Sequence, residues 1–422
     1  KTVQVIPHIT NEIKSVIHKL AEKKQDNVDV VITEIGGTIG DIESLPFLEA
    51  IRQFSLDVGR ENCLYVHVVY VPFIQTSKEF KSKPAQNALN DLRGFGIVPD
   101  CVVVRTDDPA PGDIAAKIAR FSGVPDDSVI LLSNAHTVYE VPLTIHASGI
   151  NAVLERFTGI TVKPDLSKWR ALAEAQETRF PKTVKIGMVA KYLDNEDTYI
   201  SVVEALKAAA WHEQVNLHLE WVSAEEGNDT DLEGLDGILV PGGFGKRGIE
   251  GKVQAATYAL DTKKPYLGLC LGLQVAVIAA ARKGGLKDAN STEFEPETPH
   301  NVVYIMEGQQ GKESTGGTLR LGDYPAVLTK GSVVATAYGE QKIIERHRHR
   351  YEVNQAFTKD IEKGGLAITG ASPDKKLVEF VEAKDHPYFV ATQAHPEFRS
   401  RPSRPHPLFV GLIKAAKTTS AY

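Results

Sequence analysis

Leu267-Gly-Leu-Cys-Leu-Gly-Leu-Gln274 is the stretch around which the second half of the chain is built. The residues before it, Lys264-Pro-Tyr-Leu-Gly268, end in a short apolar run that predicts a buried strand. The residues after it, Gln274 to Arg282, are rich in alanine and predict a packed helix. Cys270 lies at the junction with a glycine two residues to either side, as a sharp strand-to-helix turn requires. The spacing is typical of a nucleophile elbow with cysteine as the nucleophile.

A cysteine in a leucine-rich run can equally be an inert packing residue, but a second stretch favours a catalytic role. Gln393-Ala-His-Pro-Glu397 follows the apolar run Tyr388-Phe-Val-Ala-Thr392 and places His395 two residues before Glu397. A cysteine nucleophile needs a base, and the base needs a group that orients it. Cys270, His395 and Glu397 together provide these three groups.

A strand followed by a glycine-rich loop precedes both stretches, at Gly237-Ile-Leu-Val-Pro-Gly-Gly-Phe-Gly-Lys-Arg-Gly248. The backbone N–H of Gly243, beside that of Leu271, could donate to an oxyanion. Residues 243–248 also match G-x-G-x-x-G, which is typical of dinucleotide sites. We reject that interpretation because the next strand, Tyr266 to Leu269, leads into the cysteine and carries no acid for a ribose.

The three stretches, in this order, resemble the class I glutamine amidotransferases. The resemblance implies that Cys270 attacks the side-chain amide of glutamine, forms a thioester and releases ammonia. It also implies that His395 is the acid–base and that Glu397 orients it.

The composition is that of an ordinary globular protein of two or more domains, with 42% hydrophobic and 24% charged residues among 422. The formal net charge of −6 argues against a nucleic-acid partner. Three widely spaced cysteines form neither a disulfide framework nor a zinc pattern, which fits a reducing cytoplasm. No apolar run approaches the roughly 18 residues of a membrane span, and the sequence shows no signal peptide.

Strand-like and helical stretches alternate through the first half, which predicts a mostly parallel sheet with ligands at the carboxyl ends of its strands. A second sheet opens at Lys185-Ile-Gly-Met-Val-Ala190. We therefore predict an α/β fold of two three-layer domains, each with a mostly parallel sheet flanked by helices. The predicted parts are a first domain at 1–162, a linker helix at 163–182 and a second domain, the glutaminase by the resemblance above, at 183–422. The strands predicted in the first half are residues 28–33, 64–72, 101–105 and 129–132.

A glycine-rich turn with three acids, Glu34-Ile-Gly-Gly-Thr-Ile-Gly-Asp-Ile-Glu-Ser44, follows the first of these strands. Such a turn suits a Mg²⁺–phosphate site, although it can equally be a solvated loop. Downstream, Lys78-Glu-Phe-Lys-Ser-Lys-Pro-Ala-Gln86 places Lys81 and Lys83 beside a proline turn. These lysines could hold a triphosphate, or they could belong to a charged surface loop.

Both strings closely resemble the amidoligase domain of the CTP synthase family. Four further strings carry the same resemblance into the rest of the chain: Val5-Ile-Pro-His-Ile-Thr10, Val104-Arg-Thr-Asp107, Ala289-Asn-Ser-Thr-Glu-Phe294 and Gly316-Gly-Thr-Leu-Arg-Leu-Gly322. A fifth, Glu345-Arg-His-Arg-His-Arg-Tyr-Glu-Val-Asn354, contains a basic run that could suggest nucleic acid, but the acidic balance speaks against it.

The resemblance implies ATP-dependent conversion of UTP to CTP, in which ATP phosphorylates the uracil 4-oxygen and ammonia displaces that phosphate. Glu34 would bind Mg²⁺. The residues implied to bind UTP or CTP are Asp41, Ile42, Glu43, Lys81, Ser82, Lys83, Pro84, Ala85, Gln86 and Lys117. In the glutaminase half, Arg350 would bind the α-carboxylate of glutamine and Glu293 its α-amino group. The other implied glutamine contacts are Phe244 and Gln274.

The family also implies ATP as co-substrate, GTP as allosteric activator and CTP as feedback inhibitor. It points to a homotetramer, with the phosphate site across a subunit interface, and to filaments. Because ammonia protonates near pH 7, we expect an internal tunnel between the two sites.

Two departures from the family stand out. The family usually has Lys-Thr-Lys-Pro-Thr-Gln where this chain has Ser82 and Ala85, which weakens any role for the side chain of Ala85. The ATP site needs a phosphate loop ending in Gly-Lys-Ser/Thr, but the Gly-Lys pairs at 245, 251 and 311 precede Arg, Val and Glu. We expect that loop and a second Mg²⁺-binding acid in a segment before Lys1. The alternative is a glutaminase with a crippled synthetase half.

Two other functions were considered. A cobyrinate-type amidotransferase joins similar domains but amidates a carboxylate, and the strings at 36–44 and 81–86 argue against it. A nucleotide-sensing or filament-forming protein with a decayed site is disfavoured by the intact Cys270, His395 and Glu397.

Overall fold

The computed structural model describes residues 2–22, 28–161, 163–191, 193, 196–225, 232–305 and 319–419. The chain divides into two compact units, Lys1–Ala173 and Glu174–Tyr422, each with its own sheet. Parallel strands flanked by helices occur in both, so the predicted α/β class is confirmed. Part of the string Gly316 to Gly322 lies outside the described residues.

The first unit is built on a three-stranded parallel sheet in the order β1–β4–β5, beside a short hairpin of β2 and β3. Its core lies where α3 and α4 cover this sheet, around Leu89, Val104 and Ile118. The elements are α1 Thr10–Ala21, α2 Leu45–Val58, β1 Val66–Tyr70, β2 Phe73–Ile74, β3 Glu79–Phe80, α3 Lys83–Gly94, β4 Cys101–Thr106, α4 Gly112–Ser122, β5 Val129–Ser133, α5 Val141–Ala147 and α6 Ile150–Thr158. Helix α7, Ser167–Glu177, spans the boundary between the two units.

The strand predicted at residues 28–33 is wrong. These residues form no strand, and the side chain of Ile32 is 91% exposed. A strand exists only where a neighbour accepts its backbone hydrogen bonds, and the sheet of this unit ends at β1. The apolar run 28–33 satisfied the sequence pattern but has no such neighbour among the described residues.

The second unit contains a nine-stranded sheet in the order β13–β12–β15–β16–β17–β9–β8–β6–β7 and a smaller sheet of β10, β11 and β14. Its elements are β6 Thr183–Ala190, α8 Ile200–His212, β7 Asn216–Ser223, β8 Gly237–Val240, α9 Ile249–Thr262, β9 Tyr266–Leu269, α10 Leu271–Lys283, β10 Ala289–Ser291, β11 His300–Ile305, β12 Arg320–Leu328, α11 Val333–Tyr338, β13 Lys342–His349, β14 Tyr351–Val353, α12 Thr358–Lys363, β15 Leu366–Ala371, β16 Val378–Ala383, β17 Phe389–Thr392 and α13 Pro407–Thr419.

The large sheet has a parallel half and an antiparallel half. The strands from β17 to β7 run parallel, as predicted, whereas β12, β13, β15 and β16 extend the sheet with antiparallel pairs. This extension was not anticipated, because the sequence pattern of a strand does not reveal the direction of its neighbour. The junction between β9 and α10 lies within the parallel half.

Helix α10 is the central helix of the second unit, and every residue from Leu271 to Ala281 is buried. Its alanine and valine side chains are apolar on all sides, so it can be enclosed completely. The segment predicted as a linker helix is occupied by α7. Throughout the described ranges, no helix combines the length and the hydrophobicity that crossing a bilayer would need.

Candidate active site

Cys270 occupies the predicted turn between β9 and α10. Its backbone has φ 51° and ψ −99°, a conformation that is strained for any residue other than glycine. The turn is held because the Cys270 N–H donates to the Thr392 carbonyl of the neighbouring β17 over 2.8 Å. The Cys270 carbonyl accepts the first helical hydrogen bond, from Leu273 N over 3.1 Å. The side chain is thereby presented at the start of α10 and is only 4% exposed.

Glycines are required on both sides of this turn by close packing. A Cβ on Gly268 would lie 2.6 Å from the carbonyl oxygen of Gly272, and one on Gly272 would lie 2.2 Å from that of Val240. Both distances are too short for any side chain, so the alternation of glycine with larger residues follows from the packing of α10 against β8 and β9.

His395 is brought to Cys270 from the far end of the chain. A Cβ placed on Gly242 would lie 2.7 Å from Cε1 of His395 and 3.6 Å from Cβ of Cys270, so both side chains flank this glycine. The imidazole Nδ1–H donates to Oε1 of Glu397 over 2.7 Å. This hydrogen bond fixes the tautomer and leaves Nε2 for the thiol.

The electrostatics of this triad favour a charged imidazole. Burial by itself would lower the pKa of His395, but the negative charges and hydrogen bonds of Cys270 and Glu397 raise that pKa well above its usual value. An imidazolium beside a sulfur is the arrangement in which a thiolate nucleophile is stable.

The glycine-rich loop after β8 lies against the start of α10. A Cβ on Gly243 would lie 3.2 Å from Cδ2 of Leu271. As the first residue of α10, Leu271 has an N–H without an intrahelical acceptor. The loop is fixed by Gly245 N, which donates to Glu293 over 2.7 Å, and by Lys191, which donates to the Phe244 carbonyl. The backbone of Gly243 therefore lies against Leu271, the residue that follows Cys270.

The residues expected to bind glutamine surround the same turn. Burial raises the pKa of Glu293, while Lys191 and Arg350 lie near enough to oppose that shift. Gln274 is buried and donates to the Tyr351 carbonyl over 3.3 Å. Phe244 is 71% exposed, so its ring is open to a ligand.

Two residues near Cys270 were missed by the sequence analysis. Gln393 is fully buried, and its Nε2–H donates to the Cys270 sulfur over 3.8 Å while its Oε1 faces Gln274. Gln393 begins the stretch that contains His395, so its position in the sequence could have indicated a place near the catalytic residues. Lys252 is also fully buried near Cys270. Nothing in the sequence marked Lys252, since Gly251-Lys252 was considered only as an incomplete phosphate loop.

In the first unit, the basic residues expected to bind nucleotide are exposed. Lys81 forms an ion pair with Glu79, and Lys117 also lies near enough to lower the pKa of that carboxyl, after the larger effects of Lys81 and Ser77. Lys83 begins α3, whose N-terminal N–H groups favour anions. Lys81 and Lys117 therefore both lie near the Glu79 carboxylate.

Two neighbouring residues of the same string are buried instead. Ser82 accepts a hydrogen bond from Gln86 over 3.2 Å, and the methyl group of Ala85 packs in the core beside Leu89. The side chain of Ala85 is therefore turned away from solvent, and Pro84 between them is exposed.

The acidic turn is a separate exposed loop of the first unit. Asp41 accepts a hydrogen bond from Thr38 N over 3.1 Å, and its neighbours Ile42 and Glu43 are exposed. The carboxylate of Glu34 faces Gly36, at 3.7 Å from its Cβ position. Within the described ranges, no three Asp, Glu, His or Cys side chains lie close enough together to hold a metal ion by themselves. A single exposed carboxylate fits Mg²⁺ that takes its remaining ligands from water and phosphate.

Comparison with known proteins assigns both halves. The family model described as CTP synthase N-terminus matches residues 1–160, and the one described as glutamine amidotransferase class-I matches residues 195–415. The CTP synthase of Carboxydothermus hydrogenoformans is 50% identical over 99% of this chain and 79% of its own length. That of Rubrobacter xylanophilus is 51% identical over 98% of this chain and 75% of its own length.

A solved structure of a glutaminase domain resembles the second half of the chain. The glutaminase domain of Trypanosoma brucei CTPS with bound acivicin is 38% identical, with a TM-score of 0.52, over 57% of this chain and 96% of that one. The chain therefore belongs to the CTP synthase family, with a class I glutamine amidotransferase domain following the CTP synthase N-terminal domain.

Proposed function

We propose that Cys270, His395 and Glu397 perform the glutaminase half-reaction of this CTP synthase. CTP synthases are glutamine-hydrolysing ligases that aminate UTP to CTP at the expense of ATP. The observation that carries the residue assignment is that the side chains of Cys270 and His395 both lie against Gly242, with His395 hydrogen-bonded to Glu397 over 2.7 Å.

The reaction begins when the Cys270 thiolate attacks the side-chain carbonyl carbon of glutamine. The carbon–sulfur bond forms, and the carbonyl oxygen becomes an oxyanion that the N–H groups of Gly243 and Leu271 bind. His395 then gives its proton to the amide nitrogen, the carbon–nitrogen bond breaks and ammonia leaves. Water, deprotonated by His395, hydrolyses the thioester to glutamate and restores the thiol.

Glutamine would be held at both ends of its amino-acid group. The guanidinium of Arg350 suits a carboxylate, and the carboxylate of Glu293 suits an ammonium. Support comes from the charge of Arg350, which opposes the rise in the Glu293 pKa caused by burial, and from the hydrogen bond that Gly245 N donates to Glu293. Gln274 and Phe244 would line the rest of this pocket.

In the first unit, Lys81, Lys83 and Lys117 would bind the phosphates of UTP or of the inhibitor CTP. The backbone and side chains of Ser82, Pro84, Ala85 and Gln86 would shape that site, and Asp41, Ile42 and Glu43 would line the site of bound CTP. Glu34 would hold Mg²⁺, which supplies positive charge to ATP phosphates when it is bound.

The remaining assignments follow the family. We propose a synthetase domain at 1–162, a linker at 163–182 and a glutaminase domain at 183–422, with GTP as activator and a homotetramer that can form filaments. We expect ammonia to travel by an enclosed route, because near pH 7 water would convert it to ammonium. A cytoplasmic location suits the three free cysteines.

The test is Cys270→Ala. We expect it to abolish glutamine hydrolysis and glutamine-dependent CTP synthesis while sparing CTP synthesis from added ammonia, because only the first reaction needs the thiolate. Cys63→Ala is the control, since Cys63 is a free cysteine that belongs to neither proposed site, and the change should leave both activities unchanged. Equal loss of the ammonia-dependent reaction would contradict the division of labour.

A further inference from the structure

Lys252 is a buried charged residue that the mechanism above does not use. It lies in the first turn of α9, is 0% exposed, and has no hydrogen-bond partner for its Nζ within the described part of the chain. Burying an ammonium without a partner costs free energy, because the lost hydration is not replaced. Such a cost is characteristic of functional sites.

The amine of Lys252 points at the glycine-rich loop after β8, residues 241–248, which we call the oxyanion loop. A Cβ placed on Gly243 would lie 3.7 Å from Lys252 Nζ, against 3.2 Å from Cδ2 of Leu271. The amine therefore lies beside Gly243, one of the two residues whose N–H groups would bind the oxyanion.

The charged groups that face Lys252 come from two neighbouring elements. Lys191 follows β6, and Cys270 precedes α10. The nearest acid on its own helix, Glu250, is paired with Arg282 over 2.7 Å. The sulfur of Cys270 is thus the anionic partner that the surroundings offer.

We propose that Lys252 is a positioning residue of the glutaminase, whose ammonium behind the oxyanion loop stabilises negative charge first on the Cys270 sulfur and then on the tetrahedral intermediate. The proposal rests on Cys270 being the nucleophile. It does not require contact with glutamine, because charges interact over several ångströms in a buried site.

The protonation of Lys252 agrees with this role. Burial, and then the charge of Lys191, lowers the pKa of Lys252 to about 7, while the Cys270 thiolate opposes the shift. An amine with this pKa is only partly protonated near neutrality. It takes up a proton more readily when negative charge develops beside it.

Lys252→Met tests the proposal, because methionine has a similar length and no charge. We expect kcat for glutamine hydrolysis to fall about tenfold to a hundredfold with little change in KM, since the lost charge acts on the transition state. The pH midpoint for alkylation of Cys270 by iodoacetamide should rise by about one unit. The melting temperature should stay the same or increase, because an unpaired buried charge is replaced by an apolar group.

Lys283→Met is the matched control, since Lys283 is an exposed lysine on α10 and pairs with Asp261. It should reproduce wild-type kinetics and the wild-type alkylation profile. If Lys252→Met does not fold, Lys252→Gln removes the same charge and is judged by the same measurements.

Wild-type alkylation behaviour with kcat within about twofold would overturn the proposal, and so would a change confined to KM. Cys270→Ala separates this outcome from failure of the active site itself. If Cys270→Ala still hydrolyses glutamine, Cys270 is not the nucleophile. If Cys270→Ala loses glutaminase activity while Lys252→Met keeps wild-type kinetics, only the role of Lys252 is refuted.

Discussion

At the scale of single residues, the candidate site depends on opposite charges that stabilise one another in a buried position. His395 lies between the sulfur of Cys270 and the carboxylate of Glu397, and both raise its pKa against the effect of burial. Gln393 adds a neutral donor to the sulfur over 3.8 Å. Cys101, by contrast, lies in an apolar core, where burial raises its pKa to about 11.

Glu397→Gln is predicted to reduce kcat for glutamine hydrolysis by about a hundredfold or more, since an amide keeps the size but not the charge that holds the imidazolium. The variant should also change the dependence of stability on pH. A His whose pKa is raised by folding contributes stability that is fully present below its unfolded pKa and is lost as the pH rises through its folded pKa. The difference in melting temperature between wild type and variant should therefore be largest below the ordinary His pKa of about 6.5 and shrink as the pH rises through the raised pKa of folded His395.

The control for that measurement is Glu362→Gln, because Glu362 is exposed on α12. Its melting temperature should follow that of the wild type at every pH. A wild-type advantage over Glu397→Gln that grows as the pH rises would show that the charged form of His395 is not what Glu397 stabilises.

At the scale of secondary-structure elements, the site depends on how closely α10 approaches the sheet. The alternation of glycine around Cys270 lets the helix begin against the backbone of β8. In β13, at the other end of the same sheet, exposed and buried side chains alternate. Arg346 and Arg348 are exposed, whereas His347 and His349 are buried. The basic run that could suggest nucleic acid is therefore divided between the two faces of one strand.

A second charged cluster lies against the buried face of β13, where His347 is 3.6 Å from Glu379 of β16. Arg320 donates to Glu379 over 2.6 Å and lies 3.5 Å from Glu352. Burial raises the pKa of Glu352 to about 8 against the opposing effect of Arg320, and burial with the Arg320 charge lowers the pKa of His347 to about 3. A neutral His347 and a charged arginine let the sheet enclose these groups.

Gly272→Ala is predicted to destabilise the second unit by about 2 kcal/mol or more, because the new methyl group would overlap the Val240 carbonyl and force α10 away from β8. Chemical denaturation measures the change. Gly234→Ala is the matched control, since a Cβ there meets nothing within 4 Å. Equal stability of the two variants would contradict the close approach of α10 to β8.

At the scale of the whole molecule, two units carry two different chemistries. The triad and the residues proposed for glutamine belong to Glu174–Tyr422, whereas the lysines and acids proposed for nucleotide belong to Lys1–Ala173. Substitutions in one unit are therefore expected to affect one half-reaction directly.

Lys81→Met and Lys117→Met are predicted to raise KM for UTP in ammonia-dependent synthesis about tenfold each, because each removes a charged contact with phosphate. Glutamine hydrolysis measured without nucleotides should not change. Lys168→Met, an exposed lysine of α7, is the control. A wild-type KM for UTP in both variants would show that these lysines do not bind the nucleotide.

Most of the elements and the chemistry of the triad could be read from local spacing. A glycine on either side of Cys270, or a carboxylate two residues after His395, specifies a turn or a hydrogen bond between residues that are near in the chain. The nucleotide strings are similarly local, but the proline expected to fix a turn beside Lys83 lies instead in the first turn of α3.

The sequence alone did not reveal which segments become neighbours in the folded chain. Residues 28–33 have the pattern of a strand but no partner, and four strands pair antiparallel beside a parallel half. Lys252 has the sequence of an ordinary helical lysine, yet α9 packs its amine beneath the oxyanion loop. Periodicity and motif spacing are properties of the sequence, but burial, strand partners and the charges that face a side chain arise when distant segments pack together.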